Sequence, residues 1–346
     1  MMIGRVLTAA VAVATLAGTS PALIAQQNDQ DQQRSQQEQR DIQALVQVVD
    51  AVSTGKQPAP TDIGITWDSN HFVRGADGST YIPFTLSVDP AQMARPEAAV
   101  YIRVVNQDVA AAPAEQGNNN REQAEPTVFP WDNVYFMTVG AEGDVSRAMA
   151  LKPGNYEVFV AIKEQSPLEP QRNQPPAKVG LLRRPLTVPD FGGTELSTSS
   201  VIIASLIEPV TTPLTPEQQQ ENPYTFGTMR VVPSDDVRLS KGEELQVLFW
   251  IYGTQQTNGK PDVEVEYNFH QRTTEGEKYF NKTAPQALNA QTLPPQFDIA
   301  AGHQLPGSLV VPLASFPEGD YRLEITITDK LSGRTLTENA MFTVVS

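Results

Sequence analysis

Proline recurs along nearly the whole chain, and this distribution constrains the fold more than any other feature of the sequence. The chain has 28 prolines among 346 residues. Because proline lacks an amide proton and its ring clashes with the preceding helical turn, it interrupts helices. Past residue 60 the prolines exclude long helices almost everywhere, so that region is expected to fold as strands, turns and loops.

Apolar residues alternate with polar ones in five segments between these prolines. A period of two places alternate side chains on one face of a β-strand, so each segment predicts a strand with one face in a core. Turn dipeptides separate the segments, and short strands at this spacing predict an all-β fold class built from antiparallel β-sandwiches. The apolar positions are Ile82, Phe84, Leu86 and Val88; Tyr156, Val158, Val160 and Ile162; Val247, Phe249 and Ile251; Val263, Val265, Tyr267 and Phe269; and Tyr321, Leu323, Ile325 and Ile327.

Two parts of the sequence match each other at an offset of 165 residues. The segment 151–158 (LKPGNYEV) corresponds to the segment 316–323 (FPEGDYRL). We therefore predict two tandem immunoglobulin-like antiparallel β-sandwiches, over residues 61–191 and 194–346; a chance alignment of amphipathic strands is the alternative. The same offset pairs Phe84 with Phe249, Val100 with Val265 and Val104 with Phe269.

Each copy carries a glycine two positions before a tyrosine at the start of a predicted strand. Gly154 precedes Tyr156, and Gly319 precedes Tyr321. The pattern resembles the tyrosine corner of immunoglobulin-like sandwiches, in which the tyrosine hydroxyl bonds to nearby backbone and fixes the crossover between sheets. It predicts a structural role for these four residues.

Residues 1–25 are typical of a secretory signal peptide. Arg5 provides a short positive region, and an apolar stretch runs from Val6 to Ala17. As a helix this stretch spans only about 18 Å, less than a ~30 Å hydrocarbon core, which disfavours a membrane anchor. We expect cleavage after Ala25, or alternatively after Ala22. The pattern therefore predicts a soluble protein that is exported to a periplasm or to the cell exterior. No later stretch of the sequence predicts a membrane span.

Residues 26–40 contain eight glutamines and no apolar side chain, so they predict a disordered tether. Ser35 and Glu38 then fit a capping box, which predicts a short amphipathic helix over residues 36–54. One face of this helix carries an apolar stripe, which comprises Ile42, Leu45, Val46, Val49 and Val52. This apolar stripe can dock on the following sandwich, or it can bind a partner or a second copy of the chain.

The charge and the lack of cysteine exclude several function classes. Acidic residues outnumber basic ones by 40 to 25, which gives a net charge of -15. Such a surface repels phosphate backbones and anionic lipid heads, so nucleic acid is not an expected partner. The absence of cysteine excludes disulfides, cysteine metal sites and thiol catalysis.

Catalytic signatures are also absent from the sequence. There is no Gly-x-Ser-x-Gly elbow and no glycine-rich phosphate loop ending in Gly-Lys-Ser/Thr. The histidines His71, His270 and His303 are far apart and have no metal-ligand spacing. The acidic pairs at 235–236 and 243–244 leave a calcium site open as a weak alternative. We expect a protein that is not an enzyme and that has no cofactor and no metal.

Aromatic residues are the remaining candidates for a contact surface. Phe129, Trp131 and Tyr135 cluster in one short segment. If these side chains are exposed, they indicate a surface that stacks on sugars or contacts another protein. The alternative is that they fill the core. Trp250 alternates with Phe249, so it is expected to point away from that core, toward the other side of the sheet or the joint between the copies.

Three further segments carry a resemblance to known sequences, namely 72–84 (FVRGADGSTYIPF), 227–233 (GTMRVVP) and 319–333 (GDYRLEITITDKLSG). They resemble the β-sandwich regions of exported proteins of acidobacterial type, which are GWxTD-domain proteins and secreted proteins related to von Willebrand factor A. The GWxTD motif and the Asp-x-Ser-x-Ser motif of factor A domains do not occur, so no active residue is carried over. The resemblance implies an exported accessory sandwich protein.

Taken with the signal peptide, these features predict an exported, non-enzymatic protein that acts through contacts with an unknown envelope or extracellular protein. The alternative is a carbohydrate-binding module that uses exposed aromatics to bind polysaccharide. An enzyme with a dispersed carboxylate site is a third hypothesis, because fold alone does not determine function.

Overall fold

The computed structural model consists mainly of β-strands. It describes residues 21–110, 128–168, 176–212, 214–234 and 236–346, with the side chains of its first helix described from Arg34 onward. Within these residues there are twenty β-strands in four sheets and three α-helices. The predicted all-β fold of antiparallel sandwiches is confirmed. Residues 1–20, which form most of the predicted signal peptide, lie outside the described residues.

The first sandwich packs two four-stranded sheets face to face. Its strands are β1 (Ile65–Asn70), β2 (Val73–Arg74), β3 (Thr80–Val88), β4 (Glu97–Asn106), β5 (Trp131–Thr138), β6 (Asp144–Leu151), β7 (Gly154–Glu164) and β8 (Val179–Val188). In sheet I, β3 pairs with β1, β2 and β6. Sheet II has the order β5-β4-β7-β8, and a short helix α2 (Gln107–Ala110) follows β4.

The second sandwich packs two six-stranded sheets. Sheet III has the order β11-β12-β10-β14-β18 with β9 beside β14, and sheet IV has the order β13-β20-β19-β15-β16 with β17 beside β15. The elements are β9 (Ser197–Thr198), β10 (Ile202–Pro209), α3 (Pro216–Glu221), β11 (Thr225–Phe226), β12 (Met229–Pro233), β13 (Arg238–Ser240), β14 (Glu244–Tyr252), β15 (Val263–Thr273), β16 (Gly276–Lys282), β17 (Gln286–Leu288), β18 (Leu305–Pro312), β19 (Gly319–Asp329) and β20 (Arg334–Val345).

The two sandwiches share one pairing order. The pairs β3 with β6, β4 with β7 and β7 with β8 correspond to β14 with β18, β15 with β19 and β19 with β20. Strands β7 and β19 begin at Gly154 and Gly319, which the sequence repeat also aligns. The repeated apolar positions are buried in the two cores, at Phe84, Val100 and Val104 in the first and at Phe249, Val265 and Phe269 in the second.

Several central strands are buried on both faces, whereas the alternation predicts only one buried face. In β7 the inward Val158 and Val160 are buried, and so are the outward Phe159 and Ala161. The outer face of sheet II is covered because a helix packs across it. The outer faces of β3 and β14 are covered because the two sandwiches meet there.

The helix α1 (Pro21–Ser53) crosses the outer face of sheet II. It begins well before residue 36, so residues 26–40, predicted as a tether, lie within it. Glutamine is a good helix former, and a helix that packing already nucleates extends at little cost. An ion pair between Arg34 and Glu38 at 3.2 Å supports this extension. Among the residues of α1 whose side chains are described, Gln37 is the first that is buried.

The apolar stripe of α1 docks on the following sandwich, which is the first of the two alternatives that the sequence leaves open. Leu45, Val49 and Val52 are buried in a cluster with side chains from the outer face of sheet II. These side chains are Ala99, Tyr101, Phe159, Ala161 and Leu181. The stripe is therefore part of a packed core.

A buried ion pair also joins α1 to β7. The Lys163 ammonium donates to Asp41, and the two side chains are 6% and 0% exposed. Asp41 also accepts from the backbone N–H of Ser166 at 2.9 Å and from its hydroxyl at 2.6 Å. Lys163 donates further to the Glu164 carbonyl at 3.0 Å. Because both charged groups are paired and hydrogen-bonded, the cost of burying them is offset.

The sandwiches are joined through the outer faces of sheets I and III. Trp250 lies in this joint, with its ring 4.7 Å from that of Phe226, so it points away from the second core as its position in the strand predicts. The Ser200 N–H donates to the Phe72 carbonyl at 2.9 Å. The buried side chains of the joint are Val73, Phe191, Ile202, Ala204, Tyr224, Val231, Leu248, Trp250 and Tyr252.

His71 lies in the joint and is expected to make the free energy of unfolding depend on pH. Its Nδ1 is 3.0 Å from the Tyr224 hydroxyl, and burial lowers its pKa to about 4. In an unfolded chain the pKa of histidine is about 6.5, so the unfolded state binds the proton first. The free energy of unfolding should therefore fall by on the order of 3 kcal/mol as pH drops from about 6.5 to about 4.

Urea denaturation of wild type and His71→Gln across this pH window tests the assignment. Glutamine can keep a hydrogen bond to Tyr224 but does not titrate, so its stability should vary less with pH. His303→Gln is the control, because His303 is exposed. A full wild-type pH slope in His71→Gln would contradict the prediction.

Candidate binding cleft at the joint of the two sandwiches

A cleft of about 890 Å³ opens at the joint, and both sandwiches line it. The first sandwich contributes Arg74 and Gly75, and the connecting segment contributes Gly193 and Thr194. The second sandwich contributes the loop after β14, the loop before β18 and the turn between β19 and β20. Its volume lies at the upper end of the range typical of ligand sites.

The floor of the cleft depends on a close approach of two backbones at Gly253. This glycine has φ +68°, and a Cβ atom there would lie 2.0 Å from the carbonyl oxygen of Glu195. Glycine is therefore required at this position. Arg334 donates to the Gly253 carbonyl at 2.7 Å and to the Thr194 carbonyl at 2.6 Å. The guanidinium is 3.7 Å from the buried Asp329, so the connecting segment, loop and hairpin are held together.

The backbone of Arg74 is held by the second sandwich while its side chain is exposed in the cleft. Its N–H donates to the Tyr252 hydroxyl at 3.0 Å, and its carbonyl accepts from Gln304 Nε2 at 3.3 Å. Burial raises the pKa of the Tyr252 hydroxyl, which also donates to Gln304 Oε1 at 3.4 Å. The Arg74 guanidinium lies 6.0 Å from the centroid of the Tyr252 ring and has no carboxylate partner among the described residues.

His303 supplies a second donor to the cleft. Its Nδ1 accepts a hydrogen bond from the Asp298 N–H at 3.0 Å. In neutral imidazole the proton is then on Nε2, which is a donor. The ring is exposed and lines the cleft, so this donor is accessible to a ligand.

The charge of the lining differs from that of the whole protein. No aspartate or glutamate lies among the described residues of the lining, although acidic residues outnumber basic ones by 40 to 25 in the chain. The described lining therefore offers hydrogen-bond donors without a carboxylate of its own, which suits a ligand rich in acceptors. Its polar side chains are Arg74, Thr194, Thr254, Gln255, Gln256, His303, Gln304, Ser332 and Arg334.

The two predicted tyrosine corners lie in the sandwiches, outside this cleft. The Tyr156 hydroxyl donates to the carbonyl four residues earlier at 2.8 Å, and the Tyr321 hydroxyl does the same at 2.8 Å. Gly154 and Gly319 have φ +152° and +137°, a region that favours glycine. Each bond ties the start of its strand to the preceding turn, which is a structural arrangement.

The three candidate contact aromatics do not form one open surface. Trp131 and Tyr135 are partly buried and pack against the core of the first sandwich. Phe129 is 46% exposed, and its ring centroid lies 4.6 Å from the Arg103 guanidinium. None of the three lines the cleft.

The structure does not bring the three histidines together. His71 is in the joint, His303 lines the cleft, and His270 is on the outer face of sheet IV, 3.9 Å from Glu324. Within the described ranges, no group of three or more His, Cys, Asp or Glu side chains could hold a metal ion. Asp235, in one of the acidic pairs, lies outside those ranges.

Sequence reasoning missed the cleft because its residues come together only when the sandwiches join. Arg74 and Gln304 are 230 residues apart. The one available signal was the glycine pair Gly192-Gly193, which marks the connecting segment but does not show what faces it. The sequence shows of His303 only that it has no metal-ligand spacing with the other two histidines.

Fold and cleft together define an all-β protein of two joined sandwiches with a polar cleft between them. No helix in the described part of the chain has the length and apolar character needed to cross a membrane. No protein-family model matches the chain, and no curated protein matches it.

Solved structures give distant matches. A DUF4785 family protein from Legionella pneumophila aligns with 81% of this chain and 56% of its own, at 9% identity and a TM-score of 0.25. Salmonella alpha-2-macroglobulin reacted with methylamine aligns with 82% of this chain and 16% of its own, at 12% identity and a TM-score of 0.22. Trypsin-activated alpha-2-macroglobulin from Escherichia coli aligns with 83% of this chain and 17% of its own, at 9% identity and a TM-score of 0.21. The chain thus spans about half of the first protein and under a fifth of the macroglobulins.

Proposed function

We propose that this protein is exported and acts without catalysis, by holding a segment of an envelope or extracellular protein in the cleft between its sandwiches. The cleft is the observation that carries the proposal. Both sandwiches line it, hydrogen bonds hold its walls, and its lining offers donors without carboxylates. The signal peptide predicted over residues 1–25 supports export.

The chemistry of the lining suits an extended segment of polypeptide. A peptide backbone presents donors and acceptors at every residue and needs polar partners when it is covered. Thr254, Gln255 and Gln256 follow each other along one wall, and their side chains make no hydrogen bond with other described residues. Hydroxyl and amide side chains both donate and accept, so this wall can pair with a bound backbone.

Site-specific photo-cross-linking in cells that make the protein natively tests this proposal. A photoreactive side chain at Gln256 should capture one recurrent protein in the envelope or the medium, from a mature chain that begins at Gln26. The control position is Thr337, which is exposed on the outer face of sheet IV. Absence of adducts at Gln256, the same adducts at Thr337, or retention in the cytoplasm would each contradict the proposal.

A further inference from the structure

We infer that Arg74 is the anchor for a carboxylate, so that the segment held in the cleft presents a side-chain or C-terminal carboxylate to it. This inference rests on the proposed function and names the chemistry of the bound segment. Arginine presents a planar fork of N–H donors that matches a carboxylate with two parallel hydrogen bonds. The Arg74 guanidinium is exposed in the cleft and has no carboxylate partner among the described residues.

The surroundings of Arg74 favour this role. Its N–H and carbonyl are both bonded to the second sandwich, so the base of the side chain is fixed before a ligand arrives. The Tyr252 ring lies 6.0 Å from the guanidinium, a position that stabilises a cation over an aromatic face. The Nε2–H of His303 is a further donor in the same cleft.

The other guanidinium of the cleft is already engaged. Arg334 donates to two backbone carbonyls and to the Ser332 hydroxyl, and it lies 3.7 Å from Asp329 and 3.8 Å from Glu195. Its charge is therefore balanced by the protein itself. Among the described residues of the lining, Arg74 is the guanidinium that remains for a ligand.

The net charge of -15 repels an acidic ligand at long range, whereas Arg74 attracts it at contact. Salt screens charges beyond about 8–10 Å at physiological ionic strength and weakens a direct pair less. Affinity should therefore hold or rise with moderate salt. A ligand bound through a phosphate backbone would instead lose affinity steeply.

The test uses the mature full-length protein and short peptides labelled with a BODIPY dye, which is uncharged and has no free carboxylate, followed by fluorescence anisotropy. One peptide has glutamates and an amidated C-terminus, one has glutamines and a free C-terminal carboxylate, and one has glutamines and an amidated C-terminus. Either of the first two should bind, and the third should not. The peptide that binds shows whether the carboxylate comes from a side chain or from a chain end. Labelled trigalacturonate carries the same group on a sugar.

Variants of Arg74 and of a control arginine test whether peptide binding depends on the Arg74 side chain. Arg74→Gln should weaken peptide binding at least about tenfold, and Arg74→Lys should weaken it less, because lysine keeps the charge but loses the fork. Arg238→Gln removes an equal charge from an exposed side chain outside the cleft and should leave binding unchanged. The thermal midpoints of all variants should match that of wild type, since the bonds across the joint use the Arg74 backbone.

Four results would overturn the inference. They are no binding of either carboxylate peptide, equal binding of the peptide without carboxylates, binding of trigalacturonate alone, and unchanged binding in Arg74→Gln. Cross-linking separates this failure from that of the proposed function. If position 256 captures its partner equally in wild type and in Arg74→Gln, the cleft binds a protein but not through a carboxylate.

Discussion

Replacing Lys163 with methionine is expected to lower the free energy of unfolding by about 3–5 kcal/mol. Methionine matches the length of the side chain but leaves Asp41 buried without its counter-charge. Asp41 is 0% exposed, and only the Ser166 groups would still bond to it. Urea denaturation measures the loss, and hydrogen exchange should show faster exchange in α1 and in the face of sheet II that it covers.

The double variant Lys163→Met/Asp41→Leu distinguishes an unpaired charge from a loss of packing. It removes both charges and is expected to recover most of the stability, because a buried pair can be replaced by apolar groups at little cost. Arg183→Met is a matched control, since its ion pair with Glu157 is only partly buried, with the two side chains 48% and 23% exposed. If Lys163→Met and Arg183→Met lose equal stability, the buried pair does not hold the helix.

Trp250→Ala should lower the free energy of unfolding by about 3–5 kcal/mol through the cavity that it leaves at the joint. Trp250 is 5% exposed and packs among aromatic residues of the joint, such as Phe226 and Tyr252. Because its side chain faces away from the core of its own sandwich, the loss should uncouple the two sandwiches. Differential scanning calorimetry is expected to show two transitions where wild type shows one.

Tyr279→Ala is the control for this prediction. Tyr279 is also an aromatic residue of the second sandwich, but it is 59% exposed on β16. Its removal should change the free energy of unfolding by less than about 0.5 kcal/mol. The prediction is contradicted if Trp250→Ala shows a single transition whose midpoint temperature falls no further than that of Tyr279→Ala. In that case Trp250 does not couple the sandwiches.

The strands and their inward faces could be predicted from the sequence because a period of two is a local signal. Phe84 and Phe249 are buried as the alternation predicts, and Tyr156 and Tyr321 occupy equivalent positions at the starts of β7 and β19. Because Trp250 alternates with Phe249 in β14, the sequence also predicts that its side chain points away from the core of the second sandwich. Each of these inferences needs only residues that lie within one strand or one turn.

Features that depend on distant contacts could not be predicted. Phe159 is buried because α1 covers it, and nothing in its own strand shows that the helix packs there. Arg74 and His303 enter one cleft only through the joint.

The hydrogen bonds that tie the Arg74 backbone to the second sandwich also determine how binding can proceed. Opening the cleft would break both of these bonds. A hinge between the sandwiches is therefore opposed, and no closing step has to follow the encounter. In the proposed function the protein would act as a rigid receptor, with little conformational entropy lost by the receptor and selectivity set by the shape of the cleft before contact.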